Sequence, residues 1–195
     1  MSEEKAVYED GVSNEGAFEP IVYTFRKPVK YNGAEYKDIT FPRKPIAKDY
    51  YDMCPEHQSG NDMPKIIRNI TGMPLGMVHK IPMREMRDIY PIVNQYIEYQ
   101  PTAEEIDILR EEIEMPYTID LTVPLYRPNT KKYIRSITLT REPTCGDFKE
   151  YNLTKMTFEH ILEAGSKISD LPPGLIGDID SNDMMKVYTT IKLFL

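Results

Sequence analysis

Apolar and polar residues alternate in two stretches of the chain, which predicts two β-hairpins. The alternating apolar positions of the later stretch are Ile119, Leu121, Val123 and Leu125. In the earlier stretch, residues 21–31 and 36–41 flank Asn32-Gly33. This dipeptide readily supplies the positive φ angles of a type I′ turn. We therefore expect an N-terminal hairpin closed by a tight turn and a second hairpin about 100 residues later.

After each hairpin the apolar spacing changes to three and four residues, which predicts amphipathic helices. The pattern covers residues 63–70 and 158–168 and then recurs in a last helix of each half. The last-helix positions are Met86, Tyr90, Val93 and Ile97 in the first half and Met184, Tyr188, Ile191 and Leu195 in the second. Pro91 should kink the earlier of these two helices. Between the halves, Thr102 and Glu105 predict the capping box of a polar connecting helix.

The two halves are copies of one pattern. Residues 34–97 align with residues 132–195 without a gap, at a constant difference of 98 in residue number. The identities are mostly apolar residues, Pro or Gly, while histidines, cysteines and most carboxylates do not recur. The sequence therefore predicts an α+β fold made by tandem duplication of a β-hairpin followed by about three helices. The predicted parts are a flexible acidic arm (1–20), a first repeat (21–99), a helical connector (100–116) and a second repeat (117–195).

The charge and the apolar content of the chain argue against nucleic-acid binding and against membrane insertion. With 31 acidic and 24 basic residues the net charge is −7, and the basic residues form no continuous stripe, so we expect no nucleic-acid partner. No apolar run reaches the roughly 20 residues that span a bilayer, so we expect no membrane insertion. The N-terminus lacks the pattern of a signal peptide, which indicates a cytoplasmic protein with reduced cysteines.

Several residues imitate metal sites without completing them. Cys54 and His57 have one zinc-like spacing but lack two further close ligands. The Asp178-x-Asp180-x-Asn182 segment resembles the start of a calcium loop, but Asp183 occupies the position that requires Gly. We predict a surface loop for the first segment and a helix N-cap for the second, and no metal or cofactor.

Two carboxylates and one Cys-His pair are the candidates for catalysis. Asp49 and Asp147 occupy equivalent positions of the two copies, and the preferred interpretation is that each caps an equivalent short helix. A hydrolase that uses either carboxylate is the alternative. Cys145 and His160 could form a nucleophile pair, but neither recurs in the first copy and no orienting motif accompanies them. We therefore predict that the protein is not an enzyme.

Three segments of the second copy carry a family resemblance. They are the string Ile137-Thr-Leu-Thr-Arg-Glu-Pro-Thr-Cys-Gly-Asp-Phe148, the Ile168-Ser-Asp-Leu-Pro-Pro-Gly-Leu-Ile176 turn and the Asp180–Leu195 helix. Together they resemble the tail assembly chaperone family of Mu-like contractile-tailed phages. The first copy matches more loosely, and two tandem units depart from the usual single unit. The chain is also similar to baseplate-hub assembly proteins of T-even-like phages.

The resemblance implies a non-enzymatic chaperone that binds and solubilises the phage tape measure protein and helps tail tube assembly. Tail tube or baseplate hub protein would be further partners, and the host cell cytoplasm would be the location. The alternative is a structural baseplate or hub subunit retained in the virion tail. Methionine adapts to irregular apolar partners, so the partner-binding residues are predicted among methionines and tyrosines near the end of the first copy. They are Met73, Met77, Met83, Tyr96 and Tyr99.

Overall fold

The predicted α+β class is confirmed by a computed structural model of the chain, which describes residues 18–55, 60, 62–152, 155–172 and 174–195. Each copy consists of a two-stranded antiparallel sheet followed by short helices. Residues 1–17, the greater part of the predicted arm, lie outside the described residues. The first strand begins at Ile21 and the third at Tyr117, where the sequence places the start of each repeat.

The two hairpins share one irregularity. Strands β1 (Ile21–Tyr31) and β2 (Ala34–Phe41) pair in the first copy, and β3 (Tyr117–Arg127) and β4 (Lys132–Leu139) pair in the second. Pairing shifts register between Thr24 and Val29 in one hairpin and between Asp120 and Leu125 in the other. Asn32 and Gly33 have φ angles of 50° and 79°, which confirms the predicted tight turn.

Helices follow each hairpin in the same order. A 3₁₀ turn comes first, at Ala47–Tyr50 in the first copy and Cys145–Phe148 in the second. The first copy continues with α1 (Asp62–Thr71), α2 (Leu75–Val78) and α3 (Met83–Asn94), which runs on through Pro91. The connector contains α4 (Ala103–Glu112), capped by Thr102 and Glu105 as predicted. The second copy has α5 (Phe158–Ile168), a 3₁₀ turn (Ile176–Asp178) and α6 (Ser181–Lys192).

The two copies bury their apolar residues in one continuous core rather than two. The cluster includes Ile39 and Ile67 of the first copy together with Ile137 and Leu162 of the second. An isolated hairpin is marginal in water, and a unit of about 80 residues buries only a modest core. Sharing one core therefore stabilises both copies, and each covers surface that the other would expose.

A seam of backbone contacts joins the copies. The Ala47 amide donates to the Ile179 carbonyl (2.9 Å), and Ile46 forms an isolated antiparallel bridge with Asp180. Beside this bridge, Lys48 pairs with Asp178 at 2.7 Å. The first-copy 3₁₀ turn thus docks on the segment that precedes α6. We call the Lys44–Lys48 segment and its second-copy equivalent, Glu142–Gly146, the turn faces. The Asp178–Ser181 segment and its first-copy equivalent, Lys80–Met83, are the helix-start faces.

Candidate partner-binding groove

An apolar groove of about 760 Å³ lies where α1 and α3 of the first copy meet residues of the second copy. The methionines that line it are Met53, Met63, Met83, Met86 and Met185. We call it the methionine groove. Its volume lies within the range of ligand pockets in proteins, about 300–1,000 Å³. Unbranched methionine side chains rearrange easily, so this lining can adapt to apolar partners of irregular shape.

The floor of the methionine groove is built from aromatic rings. Phe158 makes edge-to-face contacts with Tyr50 on one side (6.4 Å between ring centroids) and Tyr188 on the other (5.1 Å). The Phe158 amide also donates to the Met53 carbonyl at 3.0 Å, which fixes the start of α5 against the first copy. Tyr50 comes from the first copy and Tyr188 from the second, so the groove exists only because the two copies are packed together.

Few charges face the groove. Among the lining residues that the structure describes, Arg87 and Asp62 are the ionisable side chains of ordinarily charged type. Asp62 is largely buried, whereas Arg87 is exposed. Burial raises the pKa of Tyr50 above its ordinary value, so this phenol remains neutral. A lining of methionine and aromatic side chains with a polar edge suits an apolar surface rather than a charged ligand.

The five predicted partner-binding residues have different environments. Met83 is 81% exposed, lines the methionine groove and occupies the first position of α3. Met73 is half-buried and packs against the core. Met77 does not suit the predicted role in partner binding, because α2 directs this side chain into the core, where it is fully buried.

Tyr96 and Tyr99 are half-buried and hold the end of the first copy against the second copy. The Tyr96 carbonyl accepts from the Ser181 hydroxyl at 3.0 Å, and the Tyr99 amide donates to the Asn182 side chain. The ring of Tyr96 meets Phe18 edge-on at 6.0 Å. Their contacts therefore support the seam, and neither residue lines the methionine groove.

Four of the groove methionines were not among the predicted site residues: Met53, Met63, Met86 and Met185. Met63 and Met86 fit the helical apolar pattern, which does not distinguish a core position from a groove position. The sequence offered one usable signal, since apolar stripes that recur in both copies must either be buried or meet a partner.

Asp49 and Asp147 each sit in the same hydrogen-bonded arrangement. Arg43 reaches both oxygens of Asp49 (2.6 and 2.8 Å), and Arg141 reaches both oxygens of Asp147 (2.8 Å each). Asp147 also accepts from the amide of Thr144 at 2.7 Å, which confirms the predicted cap. The same cap exists in the first copy, where the Ile46 amide donates to Asp49 at 2.9 Å. These carboxylates are occupied in holding the 3₁₀ turns.

In each copy a side chain of the following helix donates a hydrogen bond to the backbone carbonyl of Asp49 or Asp147, but the residue type differs between the copies. Asn69 donates to the carbonyl of Asp49 at 3.0 Å, and Lys167, at the equivalent position, donates to the carbonyl of Asp147 at 3.3 Å. Hydrogen bonding to Arg141 lowers the pKa of Asp147 well below its usual range, against the opposing effect of desolvation. Asp147 is therefore ionised at neutral pH.

The remaining candidate residues of the sequence have the following surroundings. Asp180 caps α6 by accepting from the Asn182 amide at 2.8 Å, as predicted. Within the described residues, no three His, Cys, Asp or Glu side chains are grouped closely enough to hold a metal ion. Cys54 is half-buried and Cys145 exposed, while His57 falls outside the described residues. His160 stacks on Tyr151 at 4.6 Å between ring centroids.

Comparisons of this chain with models of known families, with curated proteins and with solved structures found no match. In the part of the chain that the structure describes, none of the helices has the length and apolar character needed to cross a bilayer.

Proposed function

We propose that this protein is a non-enzymatic chaperone of phage tail assembly and that the methionine groove binds apolar helical segments of the tape measure protein. The observation that carries the proposal is an apolar groove lined by five methionines at the junction of two repeated units. The identity of the partner rests on the resemblance of residues 137–195 to tail assembly chaperones.

The chemistry of the groove matches the problem that such a chaperone has to solve. A long helix with apolar stripes aggregates until another surface covers those stripes. An amphipathic helix presents apolar residues at three- and four-residue intervals, and a groove between helices can hold one such face. Adaptable methionines allow the same groove to bind successive segments that differ in sequence. The net charge of −7 would help keep the complex in solution.

The proposed location is the cytoplasm of the infected cell, and tail tube or hub protein would be secondary partners. A structural baseplate or hub subunit is the competing function. The two differ in where the protein ends up, because a chaperone leaves before the tail matures whereas a structural subunit stays at a fixed copy number. Quantitative mass spectrometry of purified particles separates these functions.

The direct test is co-expression of this chain with the tape measure protein of the same genome, followed by size-exclusion chromatography. We expect soluble tape measure protein that co-elutes with the wild-type chain. Met83→Glu places a charge in the groove at a position that is 81% exposed, so it should abolish co-elution without unfolding the chain.

Ile108→Glu is the matched control for Met83→Glu. Ile108 is also an exposed apolar residue on a helix, α4, but it does not line the groove. The I108E variant should co-elute like the wild type. If the tape measure protein precipitates while the wild-type chain elutes alone, or if M83E and I108E behave alike, the groove is not its binding site.

A further inference from the structure

The seam between the copies uses a different face of each copy. The first copy contributes its turn face and the second contributes its helix-start face. Such a contact is heterologous, because the two surfaces that meet are not the same. Each copy therefore retains one face that the seam does not use: Glu142–Gly146 in the second copy and Lys80–Met83 in the first.

These unused faces are open to solvent. Ala47 is fully buried in the seam, whereas its equivalent, Cys145, is exposed. Ser181 is likewise fully buried, whereas its equivalent, Met83, is 81% exposed. Ala47 donates to Ile179 in the seam, and Ser181, next to the bridge residue Asp180, donates to the Tyr96 carbonyl, so packing of the two copies covers one member of each pair.

The open faces have the backbone geometry that forms the seam. Ile46 has φ −124° and ψ 168°, and its equivalent Thr144 has φ −116° and ψ 162°. Asp180 has φ −58° and ψ 150°, and its equivalent Pro82 has φ −60° and ψ 143°. Pro82 has no amide hydrogen, but the bridge needs none at this position. In the seam the hydrogen bond runs from the Ala47 amide to the carbonyl of Ile179, the residue before Asp180.

The charges of the open faces are reversed on both sides, so they remain complementary. In the seam, Lys44 and Lys48 of the turn face meet Asp178 and Asp180 of the helix-start face, with Lys48 and Asp178 at 2.7 Å. In the open turn face the residue equivalent to Lys44 is Glu142.

On the open helix-start face, the residue equivalent to Asp178 is Lys80, and Arg84 lies just beyond it. In the seam the turn face is basic and the helix-start face is acidic, whereas in the open pair the turn face is acidic and the helix-start face is basic. In the register of the bridge, Glu142 lies opposite Arg84, which has the opposite charge, whereas Lys80 lies opposite the uncharged Gly146.

From these observations we infer that the chain associates head to tail with further copies of itself. The turn face of the second copy docks on the helix-start face of the first copy of the next molecule. The Cys145 amide would donate to the Ile81 carbonyl of that molecule, as the Ala47 amide does to Ile179. A heterologous contact of this kind closes into a ring or extends into a filament, according to the rotation between successive molecules.

The contact between molecules is weaker than the seam. The seam is formed within one chain, where the connector supplies an effective concentration of about millimolar order. The open pair also has Gly146 in place of Lys48 and therefore lacks the equivalent of the Lys48–Asp178 ion pair. Association should consequently depend strongly on protein concentration and on ionic strength. Met83 lies on the open helix-start face and also lines the methionine groove, so the tests below leave Met83 unchanged.

Site-specific disulfide cross-linking tests the geometry. Thr144 and Pro82 are equivalent to the bridge pair Ile46 and Asp180, and opposed residues in such a pair have Cβ atoms about 4.5–5.5 Å apart, near the spacing that a disulfide needs. In full-length chain carrying Cys54→Ser and Cys145→Ala, Thr144→Cys and Pro82→Cys are introduced into separate molecules. Mixing the two under mild oxidation should give a mixed disulfide dimer.

The matched control replaces Thr144→Cys by Thr130→Cys, an equally exposed threonine at the β3–β4 loop. We expect at least tenfold more mixed dimer with T144C than with T130C, and little dimer from either T144C or P82C alone. Equal yields with T144C and T130C, or P82C homodimers as abundant as mixed dimers, would overturn the head-to-tail arrangement.

Sedimentation velocity provides a second readout on chain without new cysteines. The wild-type average mass should rise above 22.7 kDa with concentration. Glu142→Lys or Arg84→Glu alone should suppress this rise, and the double variant R84E/E142K should restore it, because residues 142 and 84 lie opposite each other in the register of the bridge and would again carry opposite charges. A constant monomer mass at all concentrations, or a double variant no better than the single ones, would contradict the inference.

Discussion

Replacing Asp49 or Asp147 by alanine removes an equivalent arginine–carboxylate contact from two different places in the fold. Each carboxylate joins an arginine to the start of a 3₁₀ turn. The Asp49 turn lies in the seam between the copies, whereas the Asp147 turn belongs to the open face of the second copy. Both substitutions remove a two-bond arginine contact and a backbone-amide contact, and Asp147→Ala also removes a 2.9 Å hydrogen bond from the Thr144 hydroxyl. A greater loss of stability in Asp49→Ala would therefore measure what the turn contributes to holding the copies together.

The local loss can be estimated from the contacts. Loss of a helix cap costs about 1 kcal/mol. The Arg141 side chain is 47% exposed and can be rehydrated once its partner is gone, so the ion pair adds only about 1 kcal/mol more. Asp147→Ala should therefore lower the free energy of unfolding by about 2 kcal/mol, which corresponds to a melting temperature roughly 4–8 °C lower for a protein of this size.

Asp49→Ala should cost about 1–2 kcal/mol more than Asp147→Ala. The side chain of Asp49 is 2% exposed, and the Arg43 that it binds also donates to the Asn69 carbonyl at 3.3 Å. A disordered turn at Ala47 would also release the backbone bond to Ile179. We therefore expect the D49A variant, and not D147A, to become susceptible to proteolysis in the connector at residues 100–116.

Urea unfolding followed by circular dichroism, combined with limited proteolysis, measures both effects. If D49A and D147A lose equal stability and are cleaved equally, the seam does not depend on the Asp49 turn. A hydrolytic role for either carboxylate makes the opposite prediction: alanine would abolish an activity while leaving the unfolding free energy unchanged.

Two further substitutions test the core and the pH dependence. Gly165→Ala would place a Cβ 2.6 Å from the end of the Ile191 side chain. Overpacking should cost about 1–3 kcal/mol and the gain in helix propensity should offset about 1 kcal/mol of it, so we expect a net loss of up to about 2 kcal/mol by thermal melting, whereas Gly60→Ala, with open space around it, should be neutral. Hydrogen bonding to Arg141 lowers the pKa of Asp147 in the folded protein. The ionised carboxylate therefore stabilises the fold fully above about pH 3.9, the pKa of an aspartate in the unfolded chain, and this stabilisation is lost as the pH falls toward the lower pKa of the folded state. The stability difference between wild type and Asp147→Asn should thus shrink below about pH 4, and a difference that stays constant to pH 2 would contradict this.

The sequence predicted each copy well because local signals determine its elements. Asn32-Gly33 specified the tight turn and Thr102 with Glu105 specified the cap of α4, since both depend only on neighbouring residues. Identical residues at aligned positions of the two copies do not always have the same backbone conformation. Gly174 has φ 86°, but the aligned Gly76 lies within α2, where a Cβ would come 2.6 Å from the Tyr31 hydroxyl.

The candidate site was harder to predict because it is formed by contacts between distant residues. Met77 and Met83 are both predicted to bind a partner, but Met83 lines the groove whereas Met77 is buried in the core. Both belong to one methionine-rich stretch, and the sequence does not show which side of a four-residue helix meets the core. The aromatic floor joins Tyr50 to Phe158, more than 100 residues away, and only the packing of the copies brings them together.

Divergence between the copies explains how a duplicated fold acquired a single groove. The second copy has Phe158 at the start of α5, and this ring fills the space beside Tyr50 and Tyr188. At the equivalent position the first copy has Gly60, which lines the groove without occupying it. The residues that hold each 3₁₀ turn have been retained in both copies, whereas those at the junction have diverged. Two identical copies would have the same residue, either Phe or Gly, at both of these positions. The methionine groove therefore depends on the difference between Phe158 and Gly60 as well as on the repeat.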